Sequence, residues 1–419
     1  IFLLLINCSF DNKTGIWRDD SVNQEVYRTK KNFKEIKEID VDTLTNIKLS
    51  AIKNNLSWED RYLNKNNNIQ NIFYRNSSNL LYKSKRVKAN FYDKDILYLD
   101  NLIISYNRKG EIFFYSLSEN KVIFKYNFYK NKYKNFKKKL YLAIDQGKLI
   151  VADNIGYIYS IQINEKNLIW AKNYRISFRS NIKIQDGIIF LADQENKLYA
   201  INSLNGLKLW DFLGNQSFLK GKFLNNINID DLNKNIFFLN TQGKVYSINY
   251  ANQNINWLLN LDNIYFTDNP NIFSGQELVS DRSNLIVSTD KLIANFDKLN
   301  GAKKWDIDLV SRVKPSISSN YLFVVSDRNF LNCIDINNGK ILWSIKIFKN
   351  SKINLDKTGN IKHLLIAESQ IMLLTNKGYV IKYKAGNGEL IEAVDLNLSF
   401  IGSYPIIVDG YLYLTSNSK

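Results

Sequence analysis

One phrase recurs along most of this chain and constrains its fold more than any other feature. In LYAINSLNGLKLW, which ends at Trp210, two short runs rich in apolar and aromatic residues flank a turn that contains Asn-Gly. Related phrases follow one another at intervals of 38 to 49 residues. The residues at the terminal aromatic position are Phe124, Trp170, Trp210, Trp257, Trp305, Trp343 and, in a weaker copy, Glu392. A period of this length predicts a repeat architecture rather than two or three unrelated domains.

Each phrase is preceded by a second pair of strand-like runs. Before Trp210 these runs are residues 182–184 and 188–192, joined by Asp186 and Gly187. Asp-Gly and Asn-Gly accept the positive φ angles that tight hairpin turns require. Four short antiparallel strands in a unit of roughly 44 residues are typical of a propeller blade. We therefore predict an all-β fold, a β-propeller built from four-stranded antiparallel blades.

The number of blades follows from the copies and from the two chain ends. The seven copies account for seven blades, and the two chain ends supply segments for an eighth. The segment NIFYRNSSNLLYKSKRV resembles the last two strands of a unit, with Tyr82 at the aromatic position, and the C-terminal SYPIIVDGYLYLTSNSK resembles the first two. Pairing of these N- and C-terminal strands would close the ring and leave no open sheet edge. We predict eight blades, with seven as the alternative. The residues expected to pack one blade against the next are Trp170, Trp210, Trp257, Trp305 and Trp343.

The chain begins with an apolar run, IFLLLI, that leads to Cys8. The run is too short to span a bilayer and resembles the end of a bacterial lipoprotein signal, in which a lipobox precedes a lipid-modified Cys. Asn7 departs from the small residue that usually precedes that Cys. The alternative is a buried strand with an incidental Cys. We predict that residues 1–8 are the signal, residues 9–55 a polar tether and residues 56–419 the propeller.

The sequence offers little for metal, redox or hydrolytic chemistry. It contains 2 Cys, at positions 8 and 333, and 1 His, at position 363, which excludes a zinc-type Cys pattern and a two-His site. Neither GxGxxG nor GxxxxGK[ST] occurs. We predict no catalytic residues, no metal ligands and no cofactor. Cys333 is expected to be a small buried residue and His363 a strand-edge residue.

The formal net charge of +17 comes mainly from lysines spread along the chain. Such a balance governs solubility and nonspecific association more than fold. The positive charge is most concentrated in FYKNKYKNFKKKLYL, residues 128–142, where Lys is interspersed with Tyr and Phe between two repeats. We predict a solvated inter-blade loop, with contact to anionic lipid or an acidic partner as the alternative. A nucleic-acid partner is not predicted, although single-strand binders share this composition.

The repeats described above resemble those of the pyrroloquinoline-quinone-type propellers. This family includes the quinoprotein dehydrogenases and the BamB outer-membrane assembly lipoproteins, and the resemblance covers roughly residues 69–419. A lipobox, a tether and an eight-bladed propeller in this order are similar to BamB. The resemblance implies a non-catalytic scaffold, lipid-anchored at the periplasmic face of the outer membrane and present as a monomer within the barrel-assembly machinery.

A local segment also carries this resemblance. SFLKG, residues 217–221, is similar to the L-x-L-R-G segment through which BamB contacts the POTRA domains of the barrel-inserting subunit. The resemblance implies that Leu219 is an apolar contact and that Lys220 replaces the Arg, whereas Ser217 stands where the family has Leu. The dehydrogenases carry a vicinal Cys pair that this sequence lacks. A degenerate quinoprotein oxidoreductase and a periplasmic ligand-binding propeller are the alternatives.

Overall fold

The computed structural model describes residues 8–11, 16–19, 38–39, 47–76, 81–84, 95–129, 133, 135–214, 221–261, 273–348, 355–398 and 403–415. The chain divides into two compact units, Ile1–Ile36 and Lys37–Lys419. In the first unit, β1 (Cys8–Asp11) and β2 (Ile16–Asp19) form an antiparallel hairpin in which Cys8 pairs with Asp19. The elements below belong to the second unit.

The described strands of the second unit form seven four-stranded antiparallel sheets and one two-stranded sheet, called blades 1 to 8 in chain order. Blade 1 contains β3 (Leu97–Leu99), β4 (Leu102–Tyr106), β5 (Glu111–Ser116) and β6 (Lys121–Asn127). Blade 2 contains β7 (Leu140–Asp145), β8 (Lys148–Asp153), β9 (Tyr157–Gln162) and β10 (Asn167–Asn173). Blade 3 contains β11 (Lys183–Gln185), β12 (Ile188–Ala192), β13 (Lys197–Asn202) and β14 (Lys208–Leu213). Blade 4 contains β15 (Asn226–Asp230), β16 (Asn235–Leu239), β17 (Lys244–Asn249) and β18 (Ile255–Asn260).

The remaining blades follow the same plan. Blade 5 contains β19 (Val279–Ser280), β20 (Asn284–Ser288), β21 (Ile293–Asp297) and β22 (Lys303–Ile307). Blade 6 contains β23 (Ser316–Ser318), β24 (Tyr321–Val325), β25 (Phe330–Asp335) and β26 (Ile341–Lys346). After a helical turn, α1 (Leu355–Thr358), blade 7 contains β27 (Ile361–Ala367), β28 (Gln370–Thr375), β29 (Tyr379–Lys384) and β30 (Leu390–Asp395). Blade 8 contains β31 (Ile406–Val408) and β32 (Tyr411–Tyr413).

The blades are arranged radially around a central channel. In each complete blade the four strands pair in chain order. The first strands of neighbouring blades contact one another, as β7 does with β3 and β11. In blade 4, every residue of the first strand β15 is buried, whereas none of the fourth strand β18 is. The first strands therefore line the axis and the fourth strands form the rim, which confirms the prediction of an all-β propeller of four-stranded antiparallel blades.

The apolar core lies between blades rather than at one centre. One cluster joins Ile150 and Ile158 of blade 2 to Ile189 and Leu191 of blade 3. Similar clusters join blades 1 and 2, 3 and 4, 4 and 5, and 6 and 7, and a further one joins blades 7, 8 and 1. Alternate residues of a strand point to opposite faces of its sheet. Because each sheet has a blade on either side, both faces are apolar, which explains the nearly continuous apolar runs in the sequence.

The blade-terminal tryptophans lie against the turns of the next blade. The indole N–H of Trp305 donates to the backbone oxygen of Ile336 over 2.7 Å. Gly339 in the same turn has a φ of +76°, and a Cβ there would lie 2.8 Å from the Trp305 ring. The same contact pairs Trp170 with Gly206, Trp257 with Gly301 and Trp343 with Gly388. Glycine is thus required in these turns both for its backbone conformation and for the space that the indole occupies.

The seventh repeat has an ion pair where the other repeats have a tryptophan or phenylalanine. In the five blades that end in Trp, the residue paired with the Trp across the last two strands is Ser160, Ala200, Ser247, Asn295 or Cys333. In blade 7, Glu392 occupies the aromatic position and Lys382 the opposite one, with Nζ and Oε1 2.6 Å apart. Lys382 also donates to Asn76 over 2.7 Å. The ammonium group of Lys382 therefore links blade 7 by a hydrogen bond to the N-terminal segment that precedes blade 1.

Blade 8 is a hairpin in the described part of the chain. The segment predicted to complete it, residues 71–87, is described at residues 71–76 and 81–84. The prediction of a third antiparallel strand is wrong for residues 71–76, which make isolated parallel bridges to Ala367 of blade 7 and to Gly410. The hydroxyl of Tyr82 is hydrogen-bonded to the hydroxyl of Tyr115 at 2.8 Å and contacts Asn120 in the last turn of blade 1. This is the kind of turn that the tryptophans contact in other blades, so Tyr82 lies where its repeat position predicts.

Replacement of Gly388 by Ala should destabilise the ring. The new Cβ would lie 2.9 Å from the Trp343 ring at a φ of +71°. Left-handed backbone strain and overpacking together predict a loss of about 2 kcal/mol in the free energy of unfolding. Urea denaturation measures this loss. Gly386→Ala in the same turn is the matched control, because a Cβ there meets nothing within 4 Å. Equal stability of the two variants would contradict the proposed Trp–Gly contact.

Candidate functional site in the central channel

A segment that precedes the first complete blade fills the central channel. Residues 47–76, here called the strap, were expected to be partly tether and partly the start of the propeller. Trp58 and Ile69 within the strap are completely buried. Before the strap, Ile39 exchanges two backbone hydrogen bonds with Ser344 on the rim strand β26, of 3.0 and 2.9 Å. The compact unit that contains the propeller thus begins at residue 37, whereas the sequence predicted that the propeller begins at residue 56.

The strap is hydrogen-bonded to the first strand of every blade. Most of these bonds involve backbone groups of the strap, and the others use asparagine or serine side chains. In blade order the bonded pairs are Trp58–Tyr98, Glu59–Ile144, Asn64–Lys183, Lys65–Ile229, Asn66–Ser280, Asn68–Ile317, Ile72–Ile366 and Asn55–Ile407. The innermost strand of a blade has an edge with no neighbouring strand. The strap supplies partners for backbone groups of that edge in seven blades, whereas in blade 3 it accepts a bond from the side chain of Lys183.

Lys183 of blade 3 fixes the strap through a buried ion pair. Its side chain is 0 % exposed, and its Nζ donates to both carboxylate oxygens of Asp60 over 2.9 and 2.8 Å. The same Nζ donates to the backbone oxygen of Asn64 over 2.6 Å. Burial lowers the pKa of Lys183, and the Asp60 charge opposes that shift. Because a buried lysine without partners is strongly disfavoured, the strap and blade 3 depend on each other.

A second buried lysine, Lys314 of the segment before β23, lies across the ring of Tyr62. Its Nζ donates to the backbone oxygen of Asn67 over 2.8 Å and lies 5.4 Å from the centre of the Tyr62 ring. Lys183 lies 5.8 Å from the same centre, and Arg61 lies 5.4 Å from it. Desolvation, together with the charge of Lys183, lowers the pKa of Lys314 to about 8. An aromatic ring among three cations is stabilised by cation–π attraction.

The hydroxyl of Tyr62 faces acidic and aromatic groups. It donates to Glu277, and burial raises the pKa of this phenol well above its ordinary value. Tyr404 meets the Tyr62 ring edge-on, with the centroids 5.6 Å apart, and His363 lies edge-on to Tyr404 at 4.8 Å. The predicted strand-edge residue His363 thus belongs to the wall of the channel cluster, at a bulge of β27. The polar groups of this cluster are bonded to one another, and these bonds hold the strap in one position.

One mouth of the channel is an open cavity of about 1430 Å³. Its floor is the strap, and its rim is formed by turns between the first and second strands of blades. Its acidic lining residues are Glu59, Asp60, Asp145, Asp186, Asp230, Asp231 and Asp281. Its basic lining residues are Lys53, Lys65, Arg282 and Lys298. The mouth is therefore acidic although the whole chain is strongly basic.

The described residues contain no group of three or more His, Cys, Asp or Glu side chains placed to hold a metal ion. In the same part of the chain, no helix has the length and apolar character needed to cross a membrane. Cys333 is completely buried opposite Trp343, and desolvation raises the pKa of its thiol far above the ordinary value. Burial and this shift make the thiol a packing group rather than a nucleophile.

The residues predicted to bind a partner lie outside the described part of the chain. Leu219 and Lys220 belong to residues 215–220, between β14 and Gly221. The residues on either side of this segment are hydrogen-bonded within the propeller. Gly214 donates to the backbone oxygen of Asn196 over 3.3 Å, and the Arg179 guanidinium donates to that of Gly221 over 2.7 Å. Cys8 lies in β1 of the first unit.

The basic aromatic stretch is less exposed than its composition predicts. Phe128 stacks on Tyr159 with ring centres 4.5 Å apart, and Tyr129 donates to the buried carboxylate of Asp153. Residues 140–142 begin strand β7. Of the side chains described here, Phe136 is 65 % exposed, whereas Lys138 is buried. The prediction of a solvated loop is therefore wrong for both ends of the stretch, because their aromatic and apolar residues pack between blade 2 and its neighbours.

Repeat reasoning missed the channel cluster. Asp60, Tyr62 and the asparagines of the strap lie in a polar stretch with no periodic pattern. The signals present in the sequence were Trp58 within that stretch and the lysines Lys183 and Lys314, in or beside first strands. A lysine where a strand enters a core needs an internal partner.

The fold and its repeats define the class of this protein as a propeller of pyrroloquinoline-quinone-type repeats. Comparison with known families narrows the class. The family model described as outer membrane protein assembly factor BamB matches residues 130–263 and 289–393, more than half of the chain. The chain belongs to this family.

Individual relatives are distant. The chain is similar to the outer membrane protein assembly factor BamB of Yersinia pestis, with 19 % identity over 276 residues, 63 % of this chain and 65 % of that protein. It is also similar to the uncharacterized protein RP232 of Rickettsia prowazekii, with 25 % identity over 272 residues, 61 % of this chain and 63 % of that one. The chain thus spans less than two thirds of the length of each relative.

Solved structures share the fold. The crystal structure of BamB from Moraxella catarrhalis matches with a TM-score of 0.62 and 12 % identity, over 80 % of this chain and 96 % of that one. A europium-containing methanol dehydrogenase matches with a TM-score of 0.63 and 10 % identity, over 85 % and 89 % of the two chains. Structural likeness therefore does not separate assembly factors from quinoprotein enzymes, and the contents of the channel become informative.

Lys314 should make stability depend on pH. Its pKa is about 8 in the folded chain, against 10.5 for an ordinary lysine side chain, so the unfolded chain binds more protons between these values. The contribution of Lys314 to the free energy of unfolding therefore rises with pH from about 8 to 10.5, by at most about 1.4 kcal/mol per pH unit. Lys314→Met should remove this rise in urea titrations at about pH 7.5 and 9.5. The exposed-lysine control Lys340→Met should keep it, and an unchanged profile in Lys314→Met would contradict the assignment.

Proposed function

We propose that this protein is a non-catalytic scaffold of the outer-membrane β-barrel assembly machinery. Family membership supports this role, and the occupied channel is the observation that carries it. Trp58, Tyr62 and the asparagines of the strap fill the space around the axis where a quinone and its ligands would have to converge. A propeller whose channel is filled by its own chain is suited to present its loops to partners.

The channel residues do not fit a quinone cofactor. Lys183 and Lys314, which would otherwise be free to face an anionic cofactor, are bonded to oxygens of the strap. The only two cysteines are at positions 8 and 333, so the chain has no vicinal pair. No catalytic step is therefore assigned to this channel.

The partner surface is proposed to include residues 215–220. Leu219 and Lys220 would supply an apolar and a cationic contact to a POTRA domain of the barrel-inserting subunit. The flanking residues Gly214 and Gly221 are hydrogen-bonded to Asn196 and Arg179 of the propeller, which supports a partner surface at this position. We place the protein as a monomer within that complex, without nucleic acid.

We further propose attachment to the periplasmic face of the outer membrane through lipid on Cys8. The apolar run before Cys8 and the family membership support this location. Two or three acyl chains anchor a protein firmly, whereas one alone is marginal.

The double variant Leu219→Asp, Lys220→Glu should separate the protein from its partner. Reversal of one charge and loss of an apolar contact predict at least about a tenfold fall in the assembly subunit recovered on affinity purification from membranes. The matched control is Leu232→Asp, since Leu232 is 81 % exposed in a turn at the acidic mouth.

If none of the three proteins, wild type included, recovers the assembly subunit, the result contradicts the proposed function.

The acidic cavity favours a second candidate, a periplasmic ligand-binding propeller. A small molecule that copurifies at one equivalent, and is lost on Asp231→Asn in that cavity, would favour this candidate instead.

A further inference from the structure

We propose that the strap is an internal lock that holds the propeller ring closed from its axis. Ring closure in such folds is expected from pairing of strands at the seam between the first and last blades. Here residues 47–76 are bonded to the first strands of all eight blades, including those on opposite sides of the channel. The proposal concerns the stability of the ring and does not depend on the proposed partner.

The buried asparagines of the strap bridge the blades farthest from the seam. Asn67 is 0 % exposed, and its Nδ2 donates to the backbone oxygen of Ile227 in blade 4 over 3.0 Å. The same Nδ2 donates to the backbone oxygen of Leu278, beside the first strand of blade 5, over 3.1 Å. One amide therefore binds two neighbouring blades at once. Loss of the amide would remove this bond from both carbonyls, of which that of Ile227 keeps a bond from Asn181 over 2.8 Å.

The next asparagine acts as a substitute strand. Asn68 is also 0 % exposed, and its Oδ1 accepts the backbone N–H of Ile317 over 2.9 Å. Its Nδ2 donates to the backbone oxygen of the same residue over 3.0 Å. A side-chain amide that receives and donates in this way reproduces the bonding of a neighbouring peptide group. The first strand of blade 6 thereby gains a partner on its axial edge.

The strap also holds the blade at the seam. In blade 8, Asn55 donates through Nδ2 to the backbone oxygen of Ile407 over 3.1 Å, and its backbone oxygen accepts the backbone N–H of Asp409 over 2.7 Å. Arg75, at the other end of the strap, donates its backbone N–H to Gly410 over 2.9 Å and pairs with the Asp409 carboxylate at 3.1 Å. Within the described residues, the β31–β32 hairpin has no third strand, so these bonds tie it to the ring.

A lock of this kind couples distant blades. If the strap holds the seam, loosening it between blades 4 and 5 should increase opening of blade 8 on the opposite side of the ring. If the strap merely fills space, the same change should affect only blades 4 and 5. Local opening is measured by native-state hydrogen exchange, which reports each strand separately.

The test is hydrogen exchange of the full chain carrying Asn67→Ala. We expect the amides of β31 and β32 to exchange about tenfold faster than in the wild type. Asn295→Ala is the matched control, because Asn295 is also 0 % exposed and lies in blade 5. Its amide joins Asn284 to Ile336 of the next blade, away from the strap, over 2.9 Å in each bond. This control should leave exchange in β31 and β32 unchanged.

Unchanged exchange in β31 and β32 of Asn67→Ala, with faster exchange confined to blades 4 and 5, would overturn the lock. Equal acceleration of blade 8 by Asn295→Ala would also overturn it, because the effect would then reflect general loss of stability. Should Asn67→Ala fail to fold, Asn67→Ser retains a polar group at the site. It should accelerate exchange in blade 8 by a smaller factor, and no acceleration there would overturn the lock.

Discussion

The innermost edge of each blade presents backbone donors and acceptors toward the axis, and the rest of the structure depends on their being paired. A buried peptide group without a partner costs about 1–3 kcal/mol, and a ring of blades multiplies that cost. Apolar packing between blades cannot remove it, since it acts on the faces of the sheets and not on their edges. The strap supplies hydrogen bonds to backbone groups of seven first strands and to the Lys183 side chain of the eighth, and two of its asparagine amides imitate peptide groups.

Two buried lysines favour one register of the strap against the blades. Lys183 and Lys314 extend into the channel from blade 3 and from the segment before blade 6, and both are neutralised or bonded by oxygens of the strap. An apolar plug would leave both charges without partners. Buried ion pairs add little net stability compared with apolar packing, but they penalise a wrong register strongly. We interpret the lysines as fixing which residues of the strap face which blade.

Repetition made the blades predictable from the sequence. The phrase with Asn-Gly and a terminal Trp predicted four-stranded units, and the structure adds that Gly339 and Trp305 of successive copies touch. That contact joins different repeats, so no single copy reveals it. The exchange of Trp for Glu392 was visible, whereas its partner Lys382 became evident only from the strand register.

The site was predictable only in part, because it is not repeated. The strap occurs once, and its polar composition resembles that of a tether. The burial of Tyr62 and the pairing of the partly buried Asp60 with Lys183 depend on eight blades converging, which local sequence does not encode. The basic stretch shows the opposite error. Its lysines predicted a solvated loop, whereas its residues Phe128 and Tyr129 are packed between blades.

A scaffold role and a filled channel rest on the same placement of the strap. Disulfide trapping of Ser50→Cys with Ser318→Cys, in a Cys8→Ser background, measures that placement directly, because the two hydroxyl oxygens lie 2.8 Å apart. Mild oxidation should crosslink this pair rapidly and leave Ser50→Cys with Ser326→Cys, a buried position elsewhere in blade 6, uncrosslinked. If both thiols of the first pair stay free and react with a labelling reagent, the strap does not occupy the channel.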